Sequence, residues 1–330
     1  MIPVSMPAML LGYMIYLFSE VFLWLLIACL VALLIPRCRR YMRARRWRFG
    51  VLMGVLAAGS GLYVQFMYEH WQEWRAHNPR LDHEQVLGDL VLPAGTRVHL
   101  QYLEPFNDLS GDPVPYGMQS LDHADFERMP GNIMGMPVRR LKLAQGHGFA
   151  TVETLSGHEL AGWKCAPGEV EFDFPFGAHF RFSEWKLDRC MLAPGTELGG
   201  IVWPGPVKVF SSSSQWEARS EDTPVKVLGL QLRWLSMRLD GPYGKVRSWD
   251  GFLNHPADFG PVQYPADIQV RSVQGNLLFS LPLGAQAMDR RSGTSIEGGN
   301  TVVQSTAGDV LAVRTNEEMG IHFFDEIVVP

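Results

Sequence analysis

Charged side chains are almost absent from the first 36 residues of this chain, and familiar catalytic signatures are absent throughout. Glu20 is the one charged side chain before Arg37. The 330 residues contain no Gly-x-Ser-x-Gly elbow, no His-Glu-x-x-His helix, no Walker loop and no dinucleotide fingerprint. The sequence therefore supports neither a hydrolase of those classes nor a nucleotide-dependent enzyme, and we expect no catalytic site and no cofactor.

Two long apolar runs flank an arginine cluster near the N-terminus. Residues 8–35 and 50–67 are almost entirely apolar, and about 20 such residues span a bilayer. The loop 37–48 between them has no acid and seven arginines: Arg37, Arg39, Arg40, Arg43, Arg45, Arg46 and Arg48. Loops rich in Lys and Arg stay on the cytoplasmic side of a membrane. The sequence therefore predicts a transmembrane helical hairpin over residues 1–78, with the arginine-rich loop in the cytoplasm and with the N-terminus and residues 79–330 on the other side of the membrane.

The predicted spans contain one acid and one row of small residues. Counted back from the cytoplasmic end of the first span, Glu20 lies within a turn or two of the outer interface. There it can reach water or pair with Ser19, and as an intramembrane acid it is also a functional candidate. In the second span, small residues let helix backbones approach closely at Gly54, Ala58 and Gly61. We expect them to pack against the first span or, alternatively, against a second copy of the chain or another membrane protein.

Acids outnumber bases beyond the arginine cluster. Residues after 48 include 22 Lys or Arg and 33 Asp or Glu, which gives this part a formal net charge of −11. Such a domain is not attracted to nucleic acid or to an anionic membrane surface. It suits a basic protein partner, for which the candidate contacts are Glu169, Glu171 and Asp173. Most tryptophans belong in a β core, but Trp203 and Trp249 lie near turns and are candidate anchors for a partner.

The four cysteines divide between the two sides of the predicted membrane. Cys29 lies in the first span and Cys38 in the cytoplasmic loop, so both are expected to be free thiols. Cys165 and Cys190 lie in the part predicted outside the cytoplasm and are flanked by strand-like sequence. Because two cysteines in an oxidising compartment readily pair, we predict a Cys165–Cys190 disulfide.

Strand-like alternation replaces helical periodicity after residue 78. Asn78-Pro79 ends the second helix because proline cannot continue it. The clearest strand covers 170–176, with apolar residues at every second position, and the alternation resumes over 178–182 after Gly177, which predicts an antiparallel hairpin. Further strands are predicted at 88–103, 137–144, 148–155, 206–210, 224–239, 267–272, 276–282, 301–304, 309–314 and 321–329. Residues 79–330 are therefore expected to form a mostly β domain.

A turn phrase of Pro and Gly followed by an apolar or β-branched residue precedes several strands. It occurs at 92–98, 166–170 and 192–198, and in a looser form at 203–209. Repetition of this phrase predicts stacked antiparallel β-hairpins in a solenoid-like or sandwich arrangement.

One stretch of the β domain carries a family resemblance. The sequences GWKCAPGEVEF at 162–172 and CMLAPGT at 190–196 resemble bacterial envelope and secretion-associated proteins with MORN-like β-hairpin repeats. The resemblance covers about residues 88–100 and 155–210. It implies a β-hairpin architecture and an envelope setting, and it implies no particular chemistry.

Histidines offer little support for a metal or catalytic site. Asp122, His123 and Asp125 are close in sequence, but a metal needs ligands that converge in space, so we expect none. His158 lies in a turn-like segment. An envelope hydrolase that uses His123 or His158 is the least favoured interpretation.

Together with the envelope setting that the resemblance implies, these features predict a protein-binding domain tethered to the bacterial inner membrane, with the N-terminus and residues 79–330 in the periplasm. An immunity protein, which neutralises a secreted antibacterial effector by binding it, needs a tether and an acidic surface and requires no catalysis. The alternative is a scaffold or assembly factor of an envelope or secretion complex that docks through its transmembrane helices.

Overall fold

The structure is a computed structural model that describes residues 6–36, 39–40, 45–212, 215–220 and 223–323. The chain separates into two compact units, Met1–Pro79 and Arg80–Pro330. The sequence analysis placed this boundary after residue 78. Arg37, Cys38 and Arg43 lie outside the described residues, as do residues 324–329 of the strand predicted at 321–329. The other arginines of the cluster are described, and all are exposed.

Two apolar helices form the first unit. They are α1, Met6–Ala32, and α2, Arg46–His77. Helix α2 ends where the Asn78 backbone N–H and side-chain amide both donate to the Trp74 carbonyl, at 3.0 and 2.6 Å, just before Pro79. Both helices are long and apolar enough to cross a membrane. The two predicted N-terminal helices are therefore confirmed.

Ser19 links the two helices. Its buried hydroxyl donates to the Gly59 carbonyl at 2.7 Å and accepts the Tyr63 backbone N–H at 2.9 Å. A Cβ on Gly59 would lie 2.0 Å from the Phe22 ring, so this close approach requires glycine. Because Ser19 is bonded to α2, it is not the partner of half-buried Glu20 that the sequence suggested.

The row of small residues Gly54, Ala58 and Gly61 does not pack against α1, which corrects that expectation. A Cβ on Gly54 or Gly61 would meet nothing within 4 Å among the described residues, and Ala58 is exposed. The contact face of α2 instead contains the buried residues Leu56 and Ser60. The small-residue face is thus left uncovered by the first helix.

The second unit consists of antiparallel strands joined by short turns. The strands up to residue 173 are β1 Gln85–Leu87, β2 Leu90–Leu92, β3 Arg97–Leu100, β4 Phe106–Asn107, β5 Pro113–Val114, β6 Leu121–Asp125, β7 Gly131–Ile133, β8 Met136–Ala144, β9 Phe149–Thr154, β10 His158–Leu160, β11 Trp163–Cys165 and β12 Gly168–Asp173. Then come β13 Lys186–Leu192, β14 Glu197–Leu198, β15 Ile201–Val202, β16 Val207–Ser212, β17 Gln215–Ser220, β18 Val225–Val227, β19 Leu230–Leu239 and β20 Val246–Leu253. The last are β21 Ala257–Phe259, β22 Val262–Tyr264, β23 Gln269–Val273, β24 Asn276–Ser280, β25 Gln286–Asp289, β26 Thr294–Glu297, β27 Asn300–Ser305 and β28 Val310–Thr315.

The longer strands follow each other across one sheet in chain order. Each pairs antiparallel with the next in the series β3, β6, β8, β9, β12, β13, β16, β17, β19, β20, β23, β24, β27 and β28. Short hairpins such as β10–β11 and β21–β22 are inserted between them. The predicted mostly β, antiparallel domain is confirmed, whereas the solenoid form stays a prediction.

Four of the hairpins turn on a non-glycine residue followed by glycine. The first residue has φ of 47–51° and the glycine has φ of 81–87°, as a type I′ turn requires. The four turns are Met134-Gly135, Ala161-Gly162, Leu228-Gly229 and Gln274-Gly275. This turn matches the right-handed twist of the strands that it joins and so keeps each hairpin in register.

A single hydrophobic core extends from Leu87 to Val302. Every second side chain of many strands points into this core, as the alternating burial of β9 shows. Trp203 is 1% exposed and Trp249 7% exposed, so both belong to this core. Their predicted role as partner anchors is wrong, because neither ring is accessible to another protein.

The predicted hairpin over 170–182 is also wrong in part. Strand β12 ends at Asp173 and pairs with β9 and β13, not with residues 178–182. The Ala178 N–H donates to the Pro175 carbonyl at 2.9 Å, which closes a turn over 175–178. Pro175 and Gly177 favour this turn over a continuing strand.

Cys165 at the end of β11 and Cys190 in β13 form the predicted disulfide, with Cα atoms 5.8 Å apart. The bond lies in the core, since both residues are buried. It joins neighbouring strands, because Cys165 lies opposite Leu192 in the β11–β13 pair. Cys29 is free, as expected.

Candidate functional site

A cavity of about 470 Å³ opens in the β unit where the segment 101–120 meets the turns after β8 and β12. We call it the Phe176 cavity. Its lining consists of Gln101, Tyr102, Asp108, Asp112, Pro113, Val114, Pro115, Ser120, Gln145, Gly146, Phe176, Gly177 and His179. The volume is typical of small-ligand and side-chain pockets.

One wall is a loop that is held in shape by its own hydrogen bonds. Strands β4 and β5 flank residues 108–112. The Asp108 carboxylate accepts the backbone N–H of Ser110 at 2.8 Å and of Asp112 at 2.9 Å, and Gly111 adopts φ of +88°. An aspartate that binds the backbone two residues on is a standard turn former. The wall is therefore preorganised.

Ser120 fixes the base of this segment. Its buried hydroxyl accepts the Tyr102 backbone N–H at 3.0 Å and lies 2.8 Å from the carbonyls of Tyr102 and Gly117. The Tyr102 ring contacts Phe106, with 4.8 Å between ring centroids. The buried Ser120 hydroxyl thus holds the backbone of Tyr102, whose ring forms part of the cavity wall.

Phe176 lies at the tip of the 175–178 turn and is 90% exposed. The apolar residues around it are buried, as Phe174, Ala178 and Phe180 show. The turn is held by the Trp185 indole, which donates to the Ala178 carbonyl at 3.2 Å. A ring presented to solvent by a well-anchored turn is unusual, since a folded chain normally buries Phe.

Further apolar side chains are exposed around the cavity mouth. Leu109, at the tip of the 108–112 loop, is fully exposed, and Phe106 and Tyr116 are 44% and 49% exposed. Clusters of exposed apolar side chains with polar surroundings mark interaction sites, and aromatic side chains dominate binding hot spots. The cavity and this rim form the strongest candidate site in the described part of the chain.

His179 belongs to this lining, but its Nε2 has almost no accessible surface and does not open into the cavity. Its Nε2 is buried and has no hydrogen-bond partner among the described residues. Burial lowers the pKa of His179, and Arg181 lowers it further, while a hydrogen bond from the ring to the Gln119 backbone opposes them. The ring is therefore neutral at pH 7.

The acids predicted as partner contacts do not form an acidic face. Glu171 pairs with Arg189 at 3.2 Å, and Asp173 lies opposite Lys186 across the β12–β13 pair. Glu169 borders a separate cavity that also contains Arg140 and Lys142 among its lining residues. This surface carries charges of both signs and is not an acidic patch. That Glu169, Glu171 and Asp173 contact a partner stays a prediction.

The histidines singled out in the sequence lie outside the Phe176 cavity. His123 stacks on His99 with 4.9 Å between ring centroids and is 3.2 Å from Asp122. His158 is 2.9 Å from the Ser156 hydroxyl at an exposed turn. Within the described ranges, no group of three or more His, Cys, Asp or Glu residues could hold a metal ion.

Sequence reasoning missed the residues of this site. Phe176 was assigned to the buried row of a strand, and the 104–116 segment attracted no prediction. The available signals were Pro175 and Gly177, which exclude a regular strand around Phe176, and Leu109 within a polar turn sequence.

No protein-family model matches the chain, and no curated protein or solved structure shows significant similarity to it. Its function is therefore inferred from its own residues.

Proposed function

We propose that this chain is a membrane-anchored binding protein whose β unit captures another protein outside the cytoplasm. The exposed apolar rim of the Phe176 cavity carries this proposal. Phe176, Phe106 and Leu109 would be costly to leave in water unless another surface covers them.

The helical unit supports the anchor. Its side chains are apolar and outward-facing, as Trp24 shows at 62% exposure. Exposed apolar residues on both helices suit lipid, and the described arginines of the 37–48 segment, which are exposed, suit the cytoplasmic side. The disulfide of the β unit suits an oxidising compartment on the other side.

Within this class we propose an immunity protein of the bacterial inner membrane that occludes a secreted effector in the periplasm. Such a role needs a rigid binding surface and a tether, and it needs no catalytic centre. The 108–112 loop supplies such a rigid surface, since the Asp108 carboxylate already orders its backbone. A surface that is already ordered loses little conformational entropy on binding.

A co-culture experiment tests this function. A strain that lacks the gene for this chain is grown in contact with the parent strain, which delivers the effector. We expect the deletion strain to be killed, and the intact gene to restore survival. The Phe176→Asp variant should fail to protect, whereas Val86→Asp, which charges another exposed apolar position, should protect fully. Survival of the deletion strain would disprove the immunity role.

The scaffold alternative is favoured by one observation, the uncovered small-residue face of α2 with Gly54 and Gly61. In a scaffold this face would pack against another helix. Detergent extraction tests it: a stable complex with other membrane subunits that Gly54→Leu disperses would support the scaffold.

A further inference from the structure

Several polar side chains that line the Phe176 cavity are already bonded to the backbone around it. The Asp108 carboxylate accepts two N–H groups of its own loop, and the Ser120 hydroxyl holds the backbone of its own segment. The Gln145 side-chain amide donates to two carbonyls in 119–121, at 3.2 and 2.9 Å. A polar occupant would therefore lose its hydrogen bonds to water and find few partners in return, which costs free energy.

The charges at the cavity do not favour an ionic occupant. Asp108 and Asp112 belong to the lining. They are opposed by Arg181, whose guanidinium lies 3.5 Å from the carbonyl of Gly177 in the same lining. A charged head would also lose its hydration on entry. A neutral, apolar occupant therefore suits the cavity best.

The rest of the lining is aromatic and apolar. Tyr102 and Phe176 contribute rings, and Val114 lies between Pro113 and Pro115. Aromatic rings attract one another in edge-to-face and offset arrangements, beyond the gain from the buried area alone. The volume of about 470 Å³ is sufficient for one aromatic side chain.

The rim indicates that a protein brings this ring. Leu109 and Phe106 are exposed beside the cavity but do not line it. A small molecule inside the cavity would leave both side chains in water, whereas a protein that inserts one ring can cover them with the surface around it. A buried aromatic anchor surrounded by such contacts is the common arrangement at the centre of a protein interface.

We infer that the Phe176 cavity receives one aromatic side chain, tryptophan, phenylalanine or tyrosine, from the captured protein, packed against Phe176 and Tyr102. The inference rests on the proposed function, since it names what the partner inserts at the same site.

The test uses the full chain in lipid nanodiscs and saturation-transfer NMR, which detects weak binding from the signals of the ligand. N-acetyl-phenylalanine amide is compared with N-acetyl-cyclohexylalanine amide, which is apolar and similar in size but has no π system. Empty nanodiscs correct for partition into lipid. We expect saturable binding of the phenylalanine amide, and binding at least about threefold weaker for the cyclohexyl amide.

Two results would overturn the inference. Equal binding of the two amides would assign the cavity to any apolar chain, a lipid acyl chain included. The absence of a saturable signal above that of empty nanodiscs would mean that the cavity takes no ring.

Two variants locate the ring in the cavity. A Cβ on Gly146, which belongs to the lining, would meet nothing within 4 Å among the described residues, so Gly146→Leu should fill part of the cavity and weaken binding about tenfold. The matched control is Gly241→Leu, at another glycine whose Cβ would meet nothing within 4 Å, and it should leave binding unchanged. Phe176→Ser removes one wall and should weaken binding at least about threefold. Unaltered binding in both cavity variants would place the ring elsewhere and overturn the inference.

The co-culture assay separates this inference from the function on which it rests. If Phe176→Asp loses protection while Gly146→Leu keeps it, the immunity function stands and the inserted ring is wrong. If the intact gene gives no protection while the phenylalanine amide still binds in the cavity, the immunity function is wrong and the chemistry of the cavity stands.

Discussion

The two units of this chain differ in whether they expose or bury the same types of apolar side chain. In the helical unit Trp24 is 62% exposed, whereas Trp163 in the β unit is fully buried. Most leucines of the β unit are likewise buried, whereas many leucines of the two helices are exposed. A fold in water gathers apolar side chains inside, and a hairpin in lipid has no reason to do so. The difference supports the proposed membrane anchor, and Phe176 and Leu109 are among the exposed exceptions within the β unit.

The largest expected effect concerns solubility. A chain that begins at Arg80 should stay in the supernatant of detergent-free buffer, because the β unit buries its own core. The full chain should sediment with membranes and need detergent for release. Ultracentrifugation measures the split, and a full chain that is soluble without detergent would remove the membrane assignment.

Two tryptophans provide the next comparison. Trp163→Ala should destabilise the β unit by about 3–5 kcal/mol, because it empties a large volume in the core. Trp24→Ala should leave the β unit unchanged in the same urea titration. A comparable loss in both variants would contradict the division into separate units.

Removal of the disulfide should cost slightly less. Cys165 and Cys190 are 25 residues apart, and closing a loop of this size stabilises a fold by about 3.5 kcal/mol in the chain-entropy picture. The Cys165→Ala, Cys190→Ala double variant should show this loss in urea titration. Cys29→Ala is the control, since that thiol is free and lies in the other unit. A double variant as stable as the control would contradict the prediction.

Within the helical unit, Ser19→Ala should weaken the hairpin by about 0.5–2 kcal/mol, because the Tyr63 N–H and Gly59 carbonyl lose their common partner. The matched control is Ser60→Ala, whose buried hydroxyl bonds within its own helix at Ala57. Denaturant-induced unfolding in micelles compares the two. A larger loss in Ser60→Ala would show that Ser19 is not the main link.

The smallest effect is expected at Phe176. Phe176→Ser should change the stability of the β unit by less than about 0.5 kcal/mol, because the ring is exposed. Phe172→Ser, four residues earlier in the buried row, should destabilise it severely. Equal losses would mean that Phe176 has a structural role and would weaken its assignment to binding.

Much of the fold was predictable because it follows from local patterns. Apolar run length gives the two helices, period-two alternation gives most strands, and Pro-Gly phrases give the turns before β3, β12, β14 and β16. The Cys165–Cys190 bond followed from the cysteine count and the predicted compartment. The prediction that Gly54, Ala58 and Gly61 pack against the first helix was wrong, because the sequence did not show that Gly59 packs against Phe22 and that Gly54 does not.

The candidate site was much less predictable, because it depends on exposure and on distant residues. An alternating row predicts that Phe176 is buried with Phe172, and only the turn at Gly177 rotates it outward. The prediction for Trp203 was wrong in the opposite sense, because this residue lies near a turn and is nevertheless buried. The cavity lining brings together Gln101 and His179, which are 78 positions apart in the chain, and no local pattern reveals that.

The Asp108 cap of the 108–112 loop has a kinetic consequence. A binding loop that must first fold around its target lowers the association rate, because many collisions do not lead to a complex. Here the aspartate holds Ser110 and Asp112 before any encounter takes place. The rate at which the proposed partner binds should then depend on how often the two surfaces meet in the right orientation.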